Sequence, residues 1–226
     1  MRKLKILSAV ALLCFAGLSY LPHADGARAV TRAPAEASIP LEMYLSQLGD
    51  TCGCYFTLEE ASEVGGAANQ LAAYMVAGRT PGASLEQTLE ELSRTVPNFT
   101  YSISGDKPRI VHVVDARLKR LSGYAMERVV TSIDYKGDVG GLVARINQQG
   151  IPISSPTVVF TDELKLRDLY SKGHVKAESL KVREVLSSFV PLTGYRKVIW
   201  SSRTNLGGED QTTYVRFHGP QRMPKH

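Results

Sequence analysis

The stretch that decides the fold is residues 182–217, VREVLSSFVPLTGYRKVIWSSRTNLGGEDQTTYVRF. Its first part carries apolar side chains at positions i, i+3, i+4, i+7 and i+8, a spacing that predicts one apolar face of an α-helix. These residues are Val182, Val185, Leu186, Phe189 and Val190. Pro191 and Gly194 end the helix, because neither residue continues it easily. Residues 195–203 and 211–217 are then predicted as two strands of a β-hairpin, joined by the Gly-rich turn 205–210.

The same order of elements occurs earlier in the chain. A helix over residues 85–96 begins with a capping box formed by Ser84 and Gln87, and strands follow at 99–104 and 109–114. This helix and the helix at 182 match at an offset of about 97 residues, and the two helices that precede them match at nearly the same offset. The apolar stripes of those preceding helices are Leu41, Tyr44, Leu45 and Leu48 in the first half and Val139, Leu142, Val143 and Ile146 in the second. Gly49 and Gly53 are predicted to end the first of these helices, and Asp138 to cap the start of the second.

The repeated order predicts an α+β fold of two small modules, residues 38–123 and 124–220. Each module has two amphipathic helices packed on a small mixed or antiparallel sheet that ends in a β-hairpin. We expect each module to bury its own helix stripes, so that few contacts cross residues 117–128. A single α+β domain with several helices on one mixed sheet is the alternative. Further strands are predicted at 54–58, 129–135 and 157–160, and further helices at 61–77 and 162–170.

The N-terminal residues have the features of an export signal. Arg2, Lys3 and Lys5 precede an uncharged apolar run at 6–20, and small residues at 24 and 26 offer a cleavage site. We therefore expect residues 1–26 to be a signal peptide, with an uncleaved anchor as the alternative. Cleavage would leave no integral membrane segment and a periplasmic or secreted protein. Residues 27–37 are predicted as a flexible lead-in, and residues 221–226 as a tail.

The charge and the chemically reactive residues indicate a protein that is not an enzyme. Without residues 1–26, which include three basic residues and one acidic residue, the formal net charge falls from +5 to +3, which is too mild to indicate binding to nucleic acid or to an anionic membrane. The histidines do not share metal-ligand spacing, and the carboxylates at 59–60 and 90–91 are adjacent in sequence, so they splay apart. No serine lies in a nucleophile motif. The sequence therefore predicts no cofactor and no metal site.

Two mature cysteines, Cys52 and Cys54, are separated by one glycine. In an exported chain an even number of cysteines favours a disulfide, and a small ring of this kind could be redox-active. The alternative is a pair of small, structural residues at the turn from a helix to a strand, either bonded locally or buried as apolar groups.

The final hairpin combines basic and aromatic residues, which is typical of a binding surface. The residues are Tyr195, Lys197, Arg203, Tyr214 and Arg216, and such a surface could bind an acidic edge of a partner or a polyanion. The alternative is the wet face of a half-buried sheet, with Val198 and Trp200 facing the core and Lys197, Ile199 and Ser201 on the opposite face.

The helix and strand at 41–58, the segment SLEQTLEEL at 84–92 and the strands at 99–102 and 110–114 resemble a known module. It is the short N-terminal domain shared by secretins and TonB-dependent transducers, and the second half resembles it through residues 182–189 and 195–217. The resemblance implies a small periplasmic α+β module that docks neighbouring envelope proteins.

We therefore predict a secreted or periplasmic, non-enzymatic binding module for protein–protein docking in the bacterial cell envelope, whose partner is another envelope protein. The alternatives are a thiol–disulfide protein that uses Cys52 and Cys54, and a structural factor that binds polysaccharide or a polyanion.

Overall fold

A computed structural model describes residues 37–63, 70–78, 84–155, 173–189, 197–207 and 211–218. The protein is an α+β fold, as the sequence predicted. The described residues form four α-helices, which are α1 (Leu41–Cys52), α2 (Leu85–Thr95), α3 (Val139–Asn147) and α4 (Val182–Phe189). The strands are β1 (Ser38–Pro40), β2 (Tyr55–Ser62), β3 (Met75–Ala77), β4 (Phe99–Ser104), β5 (Ile110–Asp115), β6 (Val129–Gly137), β7 (Ile153–Ser154), β8 (Gly173–Lys181), β9 (Val198–Asn205) and β10 (Thr213–Phe217).

Residues that cap and end the helices explain several of these boundaries. The Ser84 hydroxyl accepts a hydrogen bond from the Gln87 amide at the start of α2, and the Asp138 carboxylate accepts one from the Gly141 amide at the start of α3. Gly53 adopts a left-handed conformation, with φ of 67°, directly after α1. The sequence therefore located these ends correctly.

Six strands form the central sheet, in the order β4-β5-β2-β9-β10-β7. The hairpins β4–β5 and β9–β10 are antiparallel, whereas β5–β2, β2–β9 and β10–β7 are parallel pairs. In each half, the second strand of the hairpin pairs in parallel with the strand that follows the first helix of that half. Both halves thus repeat one arrangement of strands.

The two halves meet where β2 pairs with β9, so that one sheet runs through both of them. This differs from the expectation that few contacts cross between residues 38–123 and 124–220. The reason is that a free edge on either three-stranded unit leaves backbone groups unpaired, and joining the two edges satisfies them. That each half folds by itself stays a prediction.

Each face of the sheet carries its own hydrophobic core. α1 and α2 cover one face, where Leu45 and Leu89 pack with Phe56 of β2. α3 and α4 cover the opposite face, where Leu142 and Leu186 belong to the second core. Val198 lies in the first core and Trp200 in the second, so the prediction that both face one core was wrong. The physical cause is an irregularity in the β2–β9 register between Phe56 and Thr57, which inserts Ile199.

Other differences from the sequence predictions come from pairing between distant segments. The helix predicted at 61–77 is absent over its described residues, because β2 continues to Ser62 and Met75–Ala77 forms a strand with β1. Gly49, expected to help end the first helix, lies inside α1, where a Cβ would come within 2.6 Å of the Lys197 Cβ. β8, which was not predicted, forms a two-stranded ribbon with β6. The elements predicted at 157–160 and 162–170 lie outside the described residues.

A search of the described part of the chain finds no helix both long and apolar enough to cross a membrane.

Candidate functional site: a groove beside the second hairpin

Three of the five residues predicted as a binding surface lie side by side on one face of the sheet. Arg203 of β9 is the register partner of Tyr214 of β10, and Arg216 is the partner of Ser201. Residues two apart on a strand share a face, so Arg203, Tyr214 and Arg216 all lie on the face that carries α1 and α2. The structure therefore brings three of the predicted residues together, and their role in binding stays a prediction.

Lys197 does not join this group. The ammonium of Lys197 lies 4.6 Å from the ring centroid of Tyr55, which is a cation–π contact away from the other three side chains. Tyr195 lies outside the described residues.

A groove of about 650 Å³ runs along this part of the sheet. Its floor is formed by the exposed face of β9 and β10, and its wall by the start of α1 and the turn at residues 70–73. The lining residues are Pro40, Glu42, Glu60, Gln70, Ala72, Ala73, Ser201, Ser202, Arg203, Tyr214, Val215, Arg216 and His218. The groove exists because α1 and α2 cover β2 and β5 on this face, and β10 lies beyond them.

Glu60 is one of the groove residues that the sequence did not predict as part of a binding surface. Its carboxylate accepts a 2.8 Å hydrogen bond from the Ala72 amide and lies 3.9 Å from the guanidinium of Arg203, which also donates to Gln70 at 2.9 Å. Burial raises the pKa of Glu60, although the Ala72 amide and the Arg203 charge both lower it. The sequence indicated that residues 59 and 60 splay apart, but it did not indicate that both lie in a central strand and are buried there.

The other end of the groove also pairs opposite charges. Nδ1 of His218 lies 3.8 Å from the Glu42 carboxylate, and its Nε2 lies 3.0 Å from the Ser201 hydroxyl. The groove thus contains two carboxylates, two guanidinium groups and an imidazole around a half-exposed tyrosine.

On the opposite face, a buried polar cluster joins the two halves. The Glu59 carboxylate is fully buried and accepts hydrogen bonds of 2.9 Å from the Tyr124 hydroxyl and from Arg183. Arg183 also pairs with Glu127 at 2.8 Å. Burial raises the pKa of Glu59 to about 7, against the lowering effects of the Arg183 charge and the Tyr124 hydrogen bond.

One oxygen of Glu59, Oε1, and the Nε of Arg183 have no hydrogen-bond partner among the described residues. Incomplete pairing fits the raised pKa, because a buried carboxylate needs several donors to stay ionised. The Glu59 carboxyl has no exposed surface, which favours a structural role over contact with a ligand.

His112 is buried on the same face as Glu59 and is also structural. Its Nδ1 lies 3.0 Å from the Thr57 hydroxyl and its Nε2 lies 2.8 Å from the Ser104 hydroxyl. Burial lowers its pKa to about 4, so the ring is neutral near pH 7.

Cys52 and Cys54 form a disulfide that links the end of α1 to the start of β2. Cys54 is buried and Cys52 is exposed, and neither residue lines the groove. Within the described ranges, no cluster of three or more His, Cys, Asp or Glu side chains could hold a metal ion.

Comparison of the chain with protein-family models, with curated proteins and with solved structures finds no match in any of the three.

Proposed function

We propose that this protein is a binding module of the bacterial cell envelope that docks a segment of another protein in the groove beside β9 and β10. The observation that carries the proposal is the lining of the groove, where Arg203, Arg216, Glu42 and Glu60 surround the exposed Tyr214. A concave surface with a few convergent polar groups and an aromatic side chain is typical of a binding site.

The alternation of charge in the groove favours a polypeptide over a polyanion. A polyanion would meet Glu42 and Glu60 as well as the two arginines, and like charges brought together in this way oppose binding. A polypeptide segment can instead present a carboxylate to Arg216, an amide or basic group to the acidic wall and an apolar side chain to Tyr214. Such a segment matches the whole lining, whereas a uniform anion matches half of it.

The disulfide supports a thiol–disulfide function less well than the groove supports docking. A thiol–disulfide protein needs an attacking thiolate with access to a partner. Here the sulfur of Cys54 belongs to a buried residue, and the pair joins a helix to the central strand β2. A thiol–disulfide role would also not explain the shape and the charged lining of the groove.

The envelope location follows from the sequence. Residues 1–26 have the pattern of an export signal, and the resemblance to the short domain of secretins and TonB-dependent transducers concerns a periplasmic docking module. Both observations support a partner that is itself an envelope protein.

The proposal is tested by placing a photo-crosslinking amino acid at position 214 and identifying the crosslinked protein from the native envelope. The affinity of the purified partner is then measured for wild type, Arg216→Glu and Tyr214→Ala. We expect each change to weaken binding at least about tenfold, because Arg216→Glu reverses a charge and Tyr214→Ala removes an aromatic contact in the centre of the groove.

Arg120→Glu is the matched control, because Arg120 is exposed and lies outside the groove. Equal losses in Arg216→Glu and Arg120→Glu would contradict docking in the groove. Salt-dependent retention on heparin that disappears in Arg216→Glu would instead favour the polyanion alternative.

A further inference from the structure

We propose that the protein also forms a two-fold symmetric dimer, in which β4 of one copy pairs antiparallel with β4 of a second copy. This surface is at the far end of the sheet from the groove and does not depend on it. The dimer and the docking of a partner in the groove are therefore separate proposals, and either can be wrong without the other.

Among the described strands, β4 forms one edge of the central sheet. It pairs only with β5 among the described strands, and its sequence, FTYSIS, contains neither a charged residue nor a proline. Edge strands of proteins that stay monomeric commonly carry charges or prolines, or are very short. The opposite edge of the sheet shows the contrast, because β7 has only two residues and follows Pro152.

The side chains of β4 suit a second copy of the same strand. In a two-fold pairing centred on Tyr101, Tyr101 faces its own copy and Phe99 faces Ile103, which is 39% exposed in a single chain. On the other face, Thr100 lies opposite Ser102. The three apolar residues thus meet apolar residues and Thr100 meets Ser102, while Ser104 lies opposite Asn98, just before the strand. A pairing centred on Ser102 would instead place Phe99 opposite Gly105, where the turn begins.

The helix above this edge is also compatible with a second copy. Leu89 and Leu92 pack in the core that contains Phe99 of β4 and Val111 of β5, so α2 lies above these two strands. With strands roughly 4.8 Å apart, the two copies of α2 would lie about 10 Å apart, the usual distance between packed helices.

The experiment measures the molar mass of the exported protein in solution over a wide range of concentration. We expect a monomer–dimer equilibrium in wild type and a monomer in Ile103→Lys, because a lysine at this position places a charge against Phe99. Val129→Lys is the matched control, since Val129 is also an exposed apolar strand residue but belongs to β6.

A cysteine at the symmetry centre tests the register. Two Tyr101 Cα atoms in this pairing lie within the distance that a disulfide spans, so Tyr101→Cys should form a covalent dimer on oxidation and Ser102→Cys should not. A monomer at every concentration would overturn the proposal. A dimer lost in Val129→Lys but kept in Ile103→Lys would also overturn it.

Discussion

At Glu59 a carboxyl group lies fully buried beneath the sheet, between Tyr124 and Arg183. Burial raises its pKa to about 7, well above the value of an unfolded chain. The native state therefore binds this proton more tightly than the unfolded state does. The contribution of this group to stability is complete at low pH and is lost as the pH rises through about 7.

Glu59→Gln tests the direction of this pH dependence, because glutamine imitates the protonated carboxyl and does not titrate. Between about pH 5 and pH 8, the free energy of unfolding of wild type should fall by up to about 3 kcal/mol relative to Glu59→Gln. Urea unfolding at several pH values measures the difference, and Glu90→Gln on the exposed face of α2 is the control. If the wild type instead becomes more stable relative to Glu59→Gln as the pH rises, the charge of Arg183, and not burial, controls the pKa of Glu59.

Glu59 and Glu60 also show what the sequence could not predict at the level of residues. Strand alternation places them on opposite faces, which the sequence indicates. Their burial depends on partners far along the chain, since the hydrogen bond from Arg183 to Glu59 spans 124 residues. The sequence did indicate a candidate binding surface at Arg203, Tyr214 and Arg216, because the predicted hairpin is rich in basic and aromatic residues.

At the level of elements, α2 and α4 are equivalent helices of the two halves. Leu89 and Leu186 lie at the centres of their apolar faces, and both side chains are fully buried. Leu89→Ala or Leu186→Ala should each reduce the free energy of unfolding by about 2–5 kcal/mol, because each leaves a cavity in a packed core.

Denaturant unfolding measures these losses, and Met43→Ala on the exposed face of α1 is the control. It should change stability by less than about 0.5 kcal/mol. A loss of that small size in either leucine variant would contradict the core position of the helix.

Helices were predicted better than strands, for a physical reason. The periodicity and the capping residues of α2 and α3 are local signals, so their starts could be read from neighbouring residues. β3 and β8 are held by pairing with β1 and β6, which are distant in sequence. An Ala-rich segment such as 61–77 favours a helix locally, and tertiary pairing overrides that preference.

For the whole molecule, the repeat predicted the order of the elements but not how the halves join. The sequence left open separate modules or one sheet, and the parallel pairing of β2 with β9 makes one sheet. The groove lies on this junction, because Glu60 comes from β2 and Arg203 from β9. The proposed docking site therefore requires both halves in one structure.

Hydrogen exchange of the full chain in increasing urea tests this central claim most directly. If one sheet runs through both halves, the amides of β2 and β9 should be the last to exchange, and they should open together with the same free energy. The contrary result is that β9 exchanges together with α4 and β10 in a separate opening at lower urea, while β2 stays protected. That result would contradict a shared sheet, and it would also contradict a groove built from both halves.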